Sequence, residues 1–467
     1  MAIGKNRIRL YTLVTFLFLL YLLLFYSLSL KNEIPVYTTN TNNSSISTYN
    51  THVFHIKSIY YPYQFEGNSS HVYAINGSVD YFNVSLKEFD NKKCVVFGPI
   101  SYYKGGLLVP LSSSYMGLNF SEYFGGVVYI NGTNGKQEWT DYFSNQIMTQ
   151  PLVFGDIAYL GLGSAFFDPG KNANGILAVN ITNGRVIWSR YLDSEHMPTF
   201  LYYNDTLLVA PGLGNSSSKS NGLLYFLNAS TGKTIKRINL SSESAMSSIL
   251  IVNNTAYFGA AVFNLSAKPL TYNNFFKDVF YAVNLTNKSI QWEDKFNSSL
   301  GMQDSSPVFS DGLIATGYTS SLNNATINIL GLNYTNGKII WNFTAPEHGN
   351  YTSKDIQLPP LTSFNDTVYS DSPTVGMLYA INASTGKLLW QFYTGPTSAN
   401  VNVINSSLAI LNSAGYLFVI NLNGKLINEK YTGIGSGPEN IARIGNKIVI
   451  YGDSDNIEAL PIQYLFN

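Results

Sequence analysis

The chain is poor in cysteine and in charge. Its one cysteine, Cys94, excludes any disulfide within the chain. Cys94 lies in the apolar run 93–97, which indicates a buried small side chain rather than a reactive thiol. Charged residues make up only 12% of the 467 positions, and 28 basic residues balance 28 acidic ones. Because the chain has no net positive charge that would attract nucleic acid, we expect no nucleic-acid partner.

Histidine is also scarce, and the chain offers no convincing metal site. His52 and His55 are the only close pair among the five histidines. On a strand, a separation of three points them to opposite faces, so joint ligation is not expected. The run from Asp453 to Asp455 lacks the glycine and the glutamate of a calcium loop. No spacing indicates a catalytic triad. The sequence therefore predicts no metal ligand and no catalytic residue.

Tryptophan is rare, and every tryptophan occupies the same place in a repeat. Each follows a turn residue by four positions, and two further copies of the repeat end in Lys236 and Asn428 instead. Successive copies lie 49, 48, 56, 49, 49 and 38 residues apart. A period near 48 built from short strands predicts the blades of a β-propeller. The tryptophans are Trp139, Trp188, Trp292, Trp341 and Trp390.

Each repeat contains about four strands. In one copy an apolar strand (376–381) meets Asn-x-x-Thr-Gly and then a second apolar strand (387–393), which is a hairpin pattern. Seven hairpins are visible. Two strands near the C-terminus (446–451 and 456–460) lack a hairpin of their own. Near the N-terminus, residues 71–76 resemble a degenerate copy of the repeat motif. Joining the two ends in one blade predicts an all-β, eight-bladed propeller of four-stranded antiparallel blades, with seven blades as the alternative.

We expect the tryptophans to dock each blade onto the next. Each ends the last strand of its repeat, where it can press on a neighbouring sheet. Full burial of such a ring removes roughly 150–250 Å² from water. At about 25 cal/mol per Å² this stabilises the fold by up to roughly 4–6 kcal/mol.

The segment 378–392, Leu-Tyr-Ala-Ile-Asn-Ala-Ser-Thr-Gly-Lys-Leu-Leu-Trp-Gln-Phe, resembles the quinoprotein, or PQQ-like, β-propeller repeat. That family usually has Asp where this chain has Asn382, and the resemblance recurs from about residue 106 onward. Catalytic members of the eight-bladed type hold the quinone with calcium, carboxylates and a ring formed by adjacent cysteines, whereas the soluble sugar dehydrogenases, with a smaller propeller, do not use the cysteine pair. A chain with one cysteine cannot form that ring. The resemblance therefore implies a propeller without a cofactor, and PQQ with calcium only if the protein is an oxidoreductase.

The N-terminus predicts a membrane anchor. Residues 1–9 are basic, and the uncharged run 10–30 is long enough to cross a bilayer as a helix of about 31 Å. Basic residues before the span keep that end in the cytoplasm, so the rest of the chain faces outside. Residues 31–51, rich in Ser, Thr and Asn, form the predicted stalk, and 52–467 the propeller. Ser27 and Ser29 leave cleavage open as an alternative.

Twenty-four Asn-x-Ser/Thr sequons predict a glycosylated outer surface. Five of them lie in the repeat turns, where Asn and Thr are also favoured by the backbone. The composition resembles that of secreted proteins from archaea with glycosylated surface layers. The glycosylation candidates outside the repeat motif include Asn42, Asn43, Asn68, Asn204, Asn215, Asn297, Asn324 and Asn350.

These observations favour a single-pass, extracellular binding or scaffold protein of the cell envelope, with an envelope protein or a glycan as its partner. In role it resembles the propeller lipoproteins that assist outer-membrane assembly in bacteria. One alternative is a PQQ-dependent oxidoreductase acting on sugars or alcohols. A second is a glycan-binding or adhesion protein.

Overall fold

The structure is a computed structural model with two compact units, 1–54 and 55–467. It describes residues 74–75, 77–85, 94–96, 98–113, 124–163, 175–192, 199–210, 222–242, 247–263, 275–297, 301–302, 305–320, 326–348, 360–373, 375–397, 399–435, 441–452 and 456–467, all in the second unit. Within these ranges no helix is long and apolar enough to cross a membrane. The predicted N-terminal segments 1–9, 10–30 and 31–51 lie outside them.

The described strands form eight sheets, which are the blades of a propeller. β1 (Ala74–Ile75) and β2 (Phe82–Ser85) come first along the chain and belong to blade 8. Blade 1 contains β3 (Cys94–Val95), β4 (Ser101–Tyr103), β5 (Gly106–Ser113), β6 (Gly125–Asn131) and β7 (Gln137–Phe143). Blade 2 contains β8 (Leu152–Phe154), β9 (Ile157–Leu162), β10 (Gly175–Asn180) and β11 (Val186–Tyr191). Blade 3 contains β12 (Thr199–Tyr203), β13 (Thr206–Ala210), β14 (Leu223–Asn228) and β15 (Thr234–Asn239).

The remaining blades follow the same pattern. Blade 4 contains β16 (Leu250–Val252), β17 (Thr255–Phe263), β18 (Phe275–Asn284) and β19 (Ser289–Asn297). Blade 5 contains β20 (Val308–Ser310), β21 (Leu313–Thr319), β22 (Ile327–Asn333) and β23 (Ile339–Thr344). Blade 6 contains β24 (Thr362–Phe364), β25 (Thr367–Ser370), β26 (Met377–Asn382) and β27 (Leu388–Tyr393). Blade 7 contains β28 (Asn402–Ile404), β29 (Ser407–Leu411), β30 (Tyr416–Asn421) and β31 (Leu426–Tyr431), and blade 8 contains β32 (Ile441–Ile444), β33 (Lys447–Ile450) and β34 (Asn456–Pro461), followed by a 3₁₀ helix (Ile462–Leu465).

The first strand of each blade lies innermost. First strands of neighbouring blades contact one another, as β20 and β24 do, and Thr362 Oγ1 donates a hydrogen bond to the Val401 carbonyl at 2.7 Å. The strands of a blade are antiparallel, so both hairpin turns (first-to-second and third-to-fourth strand) lie at one end of the sheet. We call this end the turn face. The opposite end, where the second and fourth strands finish, is the loop face.

The cores lie between adjacent blades. Second and third strands are buried on both faces, as in β22, whereas the outer strand β23 alternates between buried and exposed residues. One core joins Ile329 and Trp341 of blade 5 to Val368 and Ile381 of blade 6. Each blade therefore gains most of its buried apolar area from its neighbours rather than from its own sheet.

Blade 8 closes the ring with both ends of the chain. β32, β33 and β34 pair in sequence, and β2 adds the outer strand against β34. β1 pairs in parallel with the inner strand β32, so this sheet has one strand more than a four-stranded blade. Between β1 and β2 the chain crosses the turn face, where the Asp80 N–H donates to the Gly132 carbonyl at 2.7 Å. The prediction of eight blades is confirmed and that of seven is wrong. The outer closing strand is Phe82–Ser85 rather than the predicted copy at 71–76.

The indole rings lie across the turns of the next blade. The Trp341 Nε1–H donates to the Ala383 carbonyl at 2.8 Å, and a Cβ on Gly386 would lie 2.7 Å from the same indole. Gly386 has φ +68°, which favours glycine as well. The same Nε1–H to carbonyl bond joins Trp139 to Ile181, Trp188 to Ala229 and Trp390 to Leu422.

The indole rings are less buried than the stabilisation estimate of roughly 4–6 kcal/mol assumed, because that estimate was made for a fully buried ring. Trp341 is 7% exposed, whereas the other four tryptophans are half-buried. Among the described residues Trp292 Nε1 has no hydrogen-bond partner, and the Tyr334 carbonyl at the equivalent position accepts the Tyr257 hydroxyl at 2.8 Å instead. The contribution of a docking ring therefore differs from blade to blade.

Three blades dock without an indole. The Lys236 ammonium reaches the Asn287 carbonyl at 3.5 Å, and the Asn428 amide donates to the Leu465 carbonyl at 3.0 Å. In the closing blade, Phe82 and Val84 of β2 lie against the turn at Gly135. The repeat position is thus an inter-blade contact in every blade, whichever residue fills it.

We expect Trp341→Ala to lower the free energy of unfolding by about 3–5 kcal/mol, because it leaves a cavity between blades 5 and 6. Urea denaturation measures this change. Trp341→Phe should lose about 1 kcal/mol more than Trp292→Phe, since only the first removes an Nε1–H···O=C bond. Equal losses in the two phenylalanine variants would contradict this account of docking.

Candidate functional site between blades 4 and 5

The predicted glycosylation sites fall into two groups. Asn204 is exposed in the turn between β12 and β13, and Asn297 is exposed as the last residue of β19. The other six candidates lie outside the described residues: Asn42, Asn43, Asn68, Asn215, Asn324 and Asn350. The glycosylation of Asn204 and Asn297 remains a prediction.

A buried carboxyl group lies between blades 4 and 5. Asp278 is 1% exposed and lies on β18 directly opposite Ala261 and Phe296. Phe280, two residues further on, shares its face and belongs to a core that includes Leu330 of blade 5. Asp278 therefore points toward blade 5, near the loop face.

Blade 5 presents polar side chains to Asp278. Tyr318 lies opposite Asn328, and Asn328 is two residues before Leu330, so all three share the face that looks toward blade 4. Thr316 is on this face as well and is 0% exposed, and its Oγ1 has no hydrogen-bond partner among the residues that the structure describes. Burial raises the pKa of the Tyr318 phenol, and the charge of Asp278 raises that pKa further. We call Asp278, Thr316, Tyr318 and Asn328 the interblade polar layer.

A hydrogen-bond chain extends this layer toward the end of blade 5. Thr344 Oγ1 donates to Asn328 Oδ1 at 2.9 Å, and Asn328 Nδ2 donates to the Thr326 carbonyl at 3.0 Å. The Thr326 hydroxyl lies 2.7 Å from Nδ1 of His348. The chain holds the Asn328 amide in one orientation and connects the buried layer to an exposed imidazole.

The interblade polar layer combines a carboxyl, a phenol and a hydroxyl in a desolvated position. A carboxylate there can accept a proton, and the phenol and hydroxyl can donate hydrogen bonds to developing negative charge. The layer contains no cationic side chain. It suits proton transfer and the donation of hydrogen bonds to oxygen atoms of a bound group.

Comparison with known proteins identifies the repeat. The family model described as outer membrane protein assembly factor BamB, a PQQ-like repeat family, matches residues 104–305, 179–372 and 277–447. The chain belongs to this family. It is also similar to tetrathionate hydrolase of Acidithiobacillus ferrooxidans, with 26% identity over 366 residues that cover 72% of this chain and 68% of the relative.

Two solved structures share the fold of this PQQ-like repeat protein. BamB from Moraxella catarrhalis has 16% identity and a TM-score of 0.55, over 82% of this chain and 97% of that one. Quinohemoprotein alcohol dehydrogenase from Comamonas testosteroni has 11% identity and a TM-score of 0.57, over 85% and 80%. At such identities the likeness establishes the propeller fold alone.

The side chains of metal-ligating type are dispersed in the described part of this PQQ-like repeat protein. No three His, Cys, Asp or Glu side chains come together there as a possible metal site. Cys94 is buried in the core between blades 1 and 8. Oxidation of sugars or alcohols with PQQ remains an untested prediction.

The interblade polar layer was not predicted from the sequence. One signal was present: Lys277 and Asp278 interrupt an otherwise apolar strand, Phe275–Asn284. A charge in a buried strand is costly unless something compensates it, so Asp278 could have been singled out. Its partners could not, because Thr316 and Tyr318 lie about 40 positions away on another blade.

A second buried carboxyl group, Asp371, follows β25 and is fully buried. Asp371 accepts hydrogen bonds from the Ser372 N–H at 2.7 Å and from the Thr394 hydroxyl at 3.1 Å. Burial nevertheless raises its pKa from 3.8 to about 7. These bonds hold the chain after β25 against the chain after β27, which indicates a structural role.

We expect the protein to lose stability as the pH rises from about 4 to about 7. In this window the folded Asp371 keeps a proton that the unfolded chain has released, so ionisation costs about 4 kcal/mol in all. Asp371→Asn should flatten this dependence in urea melts across the pH range. Thr394→Val should extend the loss of stability to higher pH, because the lost donor favoured the ionised form and its removal raises the pKa of Asp371 further. An unchanged slope in Asp371→Asn would contradict the raised pKa.

Proposed function

We propose that this propeller is a binding scaffold of the cell envelope, anchored by segment 10–30 and facing outside. Its outer strands would hold extended segments of partner proteins. The observation that carries this proposal is a repeated exposed apolar surface on those strands. The family's description as an assembly factor supports it.

The same pair of exposed residues recurs on three outer strands. In β27, Leu389 and Tyr393 are both exposed, whereas Trp390 and Phe392 between them are half-buried. The tyrosine of each pair is 62% to 67% exposed. The pairs are Ile187 and Tyr191, Leu389 and Tyr393, and Ile427 and Tyr431. An aliphatic and an aromatic group about 13 Å apart on each strand form a regular apolar surface.

These strands also have an unpaired edge. Within the described sheets, β11, β27 and β31 each pair with one strand only. An extended segment can add to such an edge through main-chain hydrogen bonds, while pockets for alternate side chains give specificity. Leu389 and Tyr393 would contact the side chains of a segment added to β27. The occupant is therefore an extended, partly apolar segment of an envelope protein.

Leu389→Asp combined with Tyr393→Asp should reduce partner capture by tenfold or more, which corresponds to about 1.4 kcal/mol. The measurement is quantitative crosslinking of the full chain in its own membranes. Lys387→Asp, exposed near the turn of the same blade, is the matched control and should capture partners normally. Thermal melting of all variants should match the parent. If the double variant captures as much partner as the parent, the scaffold proposal is contradicted.

A second candidate function is hydrolysis of sulfur–sulfur bonds in polythionates. The relative named tetrathionate hydrolase favours it, together with the buried carboxyl group at the loop face. In this reaction the oxygen of water bonds to a sulfur atom as the sulfur–sulfur bond breaks. The leaving sulfur keeps the electron pair, and a proton of the water passes to the Asp278 carboxylate. Tyr318 and Thr316 would donate hydrogen bonds to the substrate oxygens.

Incubation of the purified full chain with tetrathionate, followed by thiosulfate and sulfate analysis, tests this second candidate. Asp278→Asn should lower turnover by about 10²–10⁴-fold, as expected for loss of a general base. Asp371→Asn, a buried carboxyl group in another blade, is the matched control and should retain turnover. A parent protein without hydrolysis, or an active Asp278→Asn variant, would remove this candidate.

A further inference from the structure

The hairpin turns between first and second strands divide into two classes. Four of them carry asparagine at the first central position, and a Thr or Ser two residues later begins the next strand. These asparagines have φ between 45° and 50° and are exposed on the turn face. They are Asn204, Asn253, Asn365 and Asn405.

Turn geometry explains the asparagine, and in two turns the hydroxyl that follows it also bonds the turn: Thr206 Oγ1 donates to the Asn204 carbonyl and Thr367 Oγ1 to the Asn365 carbonyl, both at 3.3 Å. A two-residue hairpin needs positive φ, which asparagine tolerates. The other four turns of this type are Lys104-Gly105, Gly155-Asp156, Asp311-Gly312 and Gly445-Asn446, and the next strand then begins with Gly106, Ile157, Leu313 and Lys447. None of these four has a hydroxyl at that position. Asparagine and hydroxyl therefore occur together or not at all, as a sequon requires.

The side chains of these asparagines are free to react. None of the four makes a side-chain hydrogen bond within the described part of the chain. By contrast, the asparagines of the third-to-fourth-strand turns are half-buried and organise the backbone. In two of them, Asn180 and Asn333, Oδ1 accepts the hydroxyl of the sequon threonine at 2.6 Å. The structure thus separates sequons whose asparagine side chain builds the turn from sequons whose asparagine side chain is exposed and makes no hydrogen bond within the described part of the chain.

We propose that Asn204, Asn253, Asn365 and Asn405 carry N-linked glycans, which cover the turn face around four blades. Each Nδ2 bonds to the anomeric carbon of a sugar supplied as a lipid diphosphate. The bond from sugar to phosphate breaks, the phosphate leaves with the electron pair, and Nδ2 releases a proton to a base. The glycans leave the outer strands and the loop face uncovered. The proposal rests on the outward-facing placement in the proposed function.

Glycopeptide mass spectrometry of the full chain from its producing cells tests the proposal. We expect a glycan at each of the four asparagines. Thr206→Val, Thr255→Val, Thr367→Val and Ser407→Ala should each remove one glycan, because they delete the sequon and leave the asparagine turn intact. Thermal melting of the deglycosylated variants should show no more than the small loss expected for one hydrogen bond, which the hydroxyls of Thr206, Thr255 and Thr367 each make. Thr335→Val in the turn of Asn333 is the comparison for a sequon whose hydroxyl bonds the asparagine side chain itself.

Unmodified asparagine at all four positions would overturn the proposal. Protease treatment of intact cells separates this failure from failure of the proposed placement. If the propeller is digested and the four peptides are bare, only the glycan proposal fails. If the propeller is protected and the peptides are bare, both fail.

Discussion

The architecture depends on the contact between the outer strand of one blade and the turn of the next. The most buried of these contacts is made by Trp341, whose indole ring lies against Gly386 and donates a hydrogen bond to the Ala383 carbonyl. A blade alone exposes two apolar faces, so it is not stable until neighbours cover both. The ring closes because Phe82 and Val84 make the last contact with the turn at Gly135. The docking of the blades, the cores between them and the closure of the ring are therefore consequences of one repeated interaction.

This arrangement leaves two kinds of surface for function. Outer strands have an edge that no other blade covers, and in β11, β27 and β31 that edge is beside exposed aliphatic and tyrosine side chains. Between blades 4 and 5, the apolar core is replaced near the loop face by polar groups around Asp278. The first surface suits an extended protein segment and the second suits proton transfer. Both follow from stacking sheets that are longer than the cores between them.

The repeat pattern predicted the fold because each part of it has a local cause. The asparagine and glycine of the turns meet backbone needs, as Asn180 and Gly386 show. Regular spacing of the tryptophans then predicted an equivalent contact in each blade. The closing strand was misplaced because β2 (Phe82–Ser85) lacks the turn of the repeat, so nothing local marks it as an outer strand. The loss of the Nε1 partner at Trp292 was equally unpredictable, since Tyr257, which takes the carbonyl, is on a different strand.

The sequence by itself determined the period, the strand content and the residues that dock the blades, because these depend on neighbours within a few positions. Only the tertiary structure decided that the chain ends share blade 8, that Asp278 faces Tyr318, and which sequon asparagines have free side chains. These features depend on pairs of residues about 40 or more positions apart, or on exposure. Neither is fixed until the blades have packed against one another.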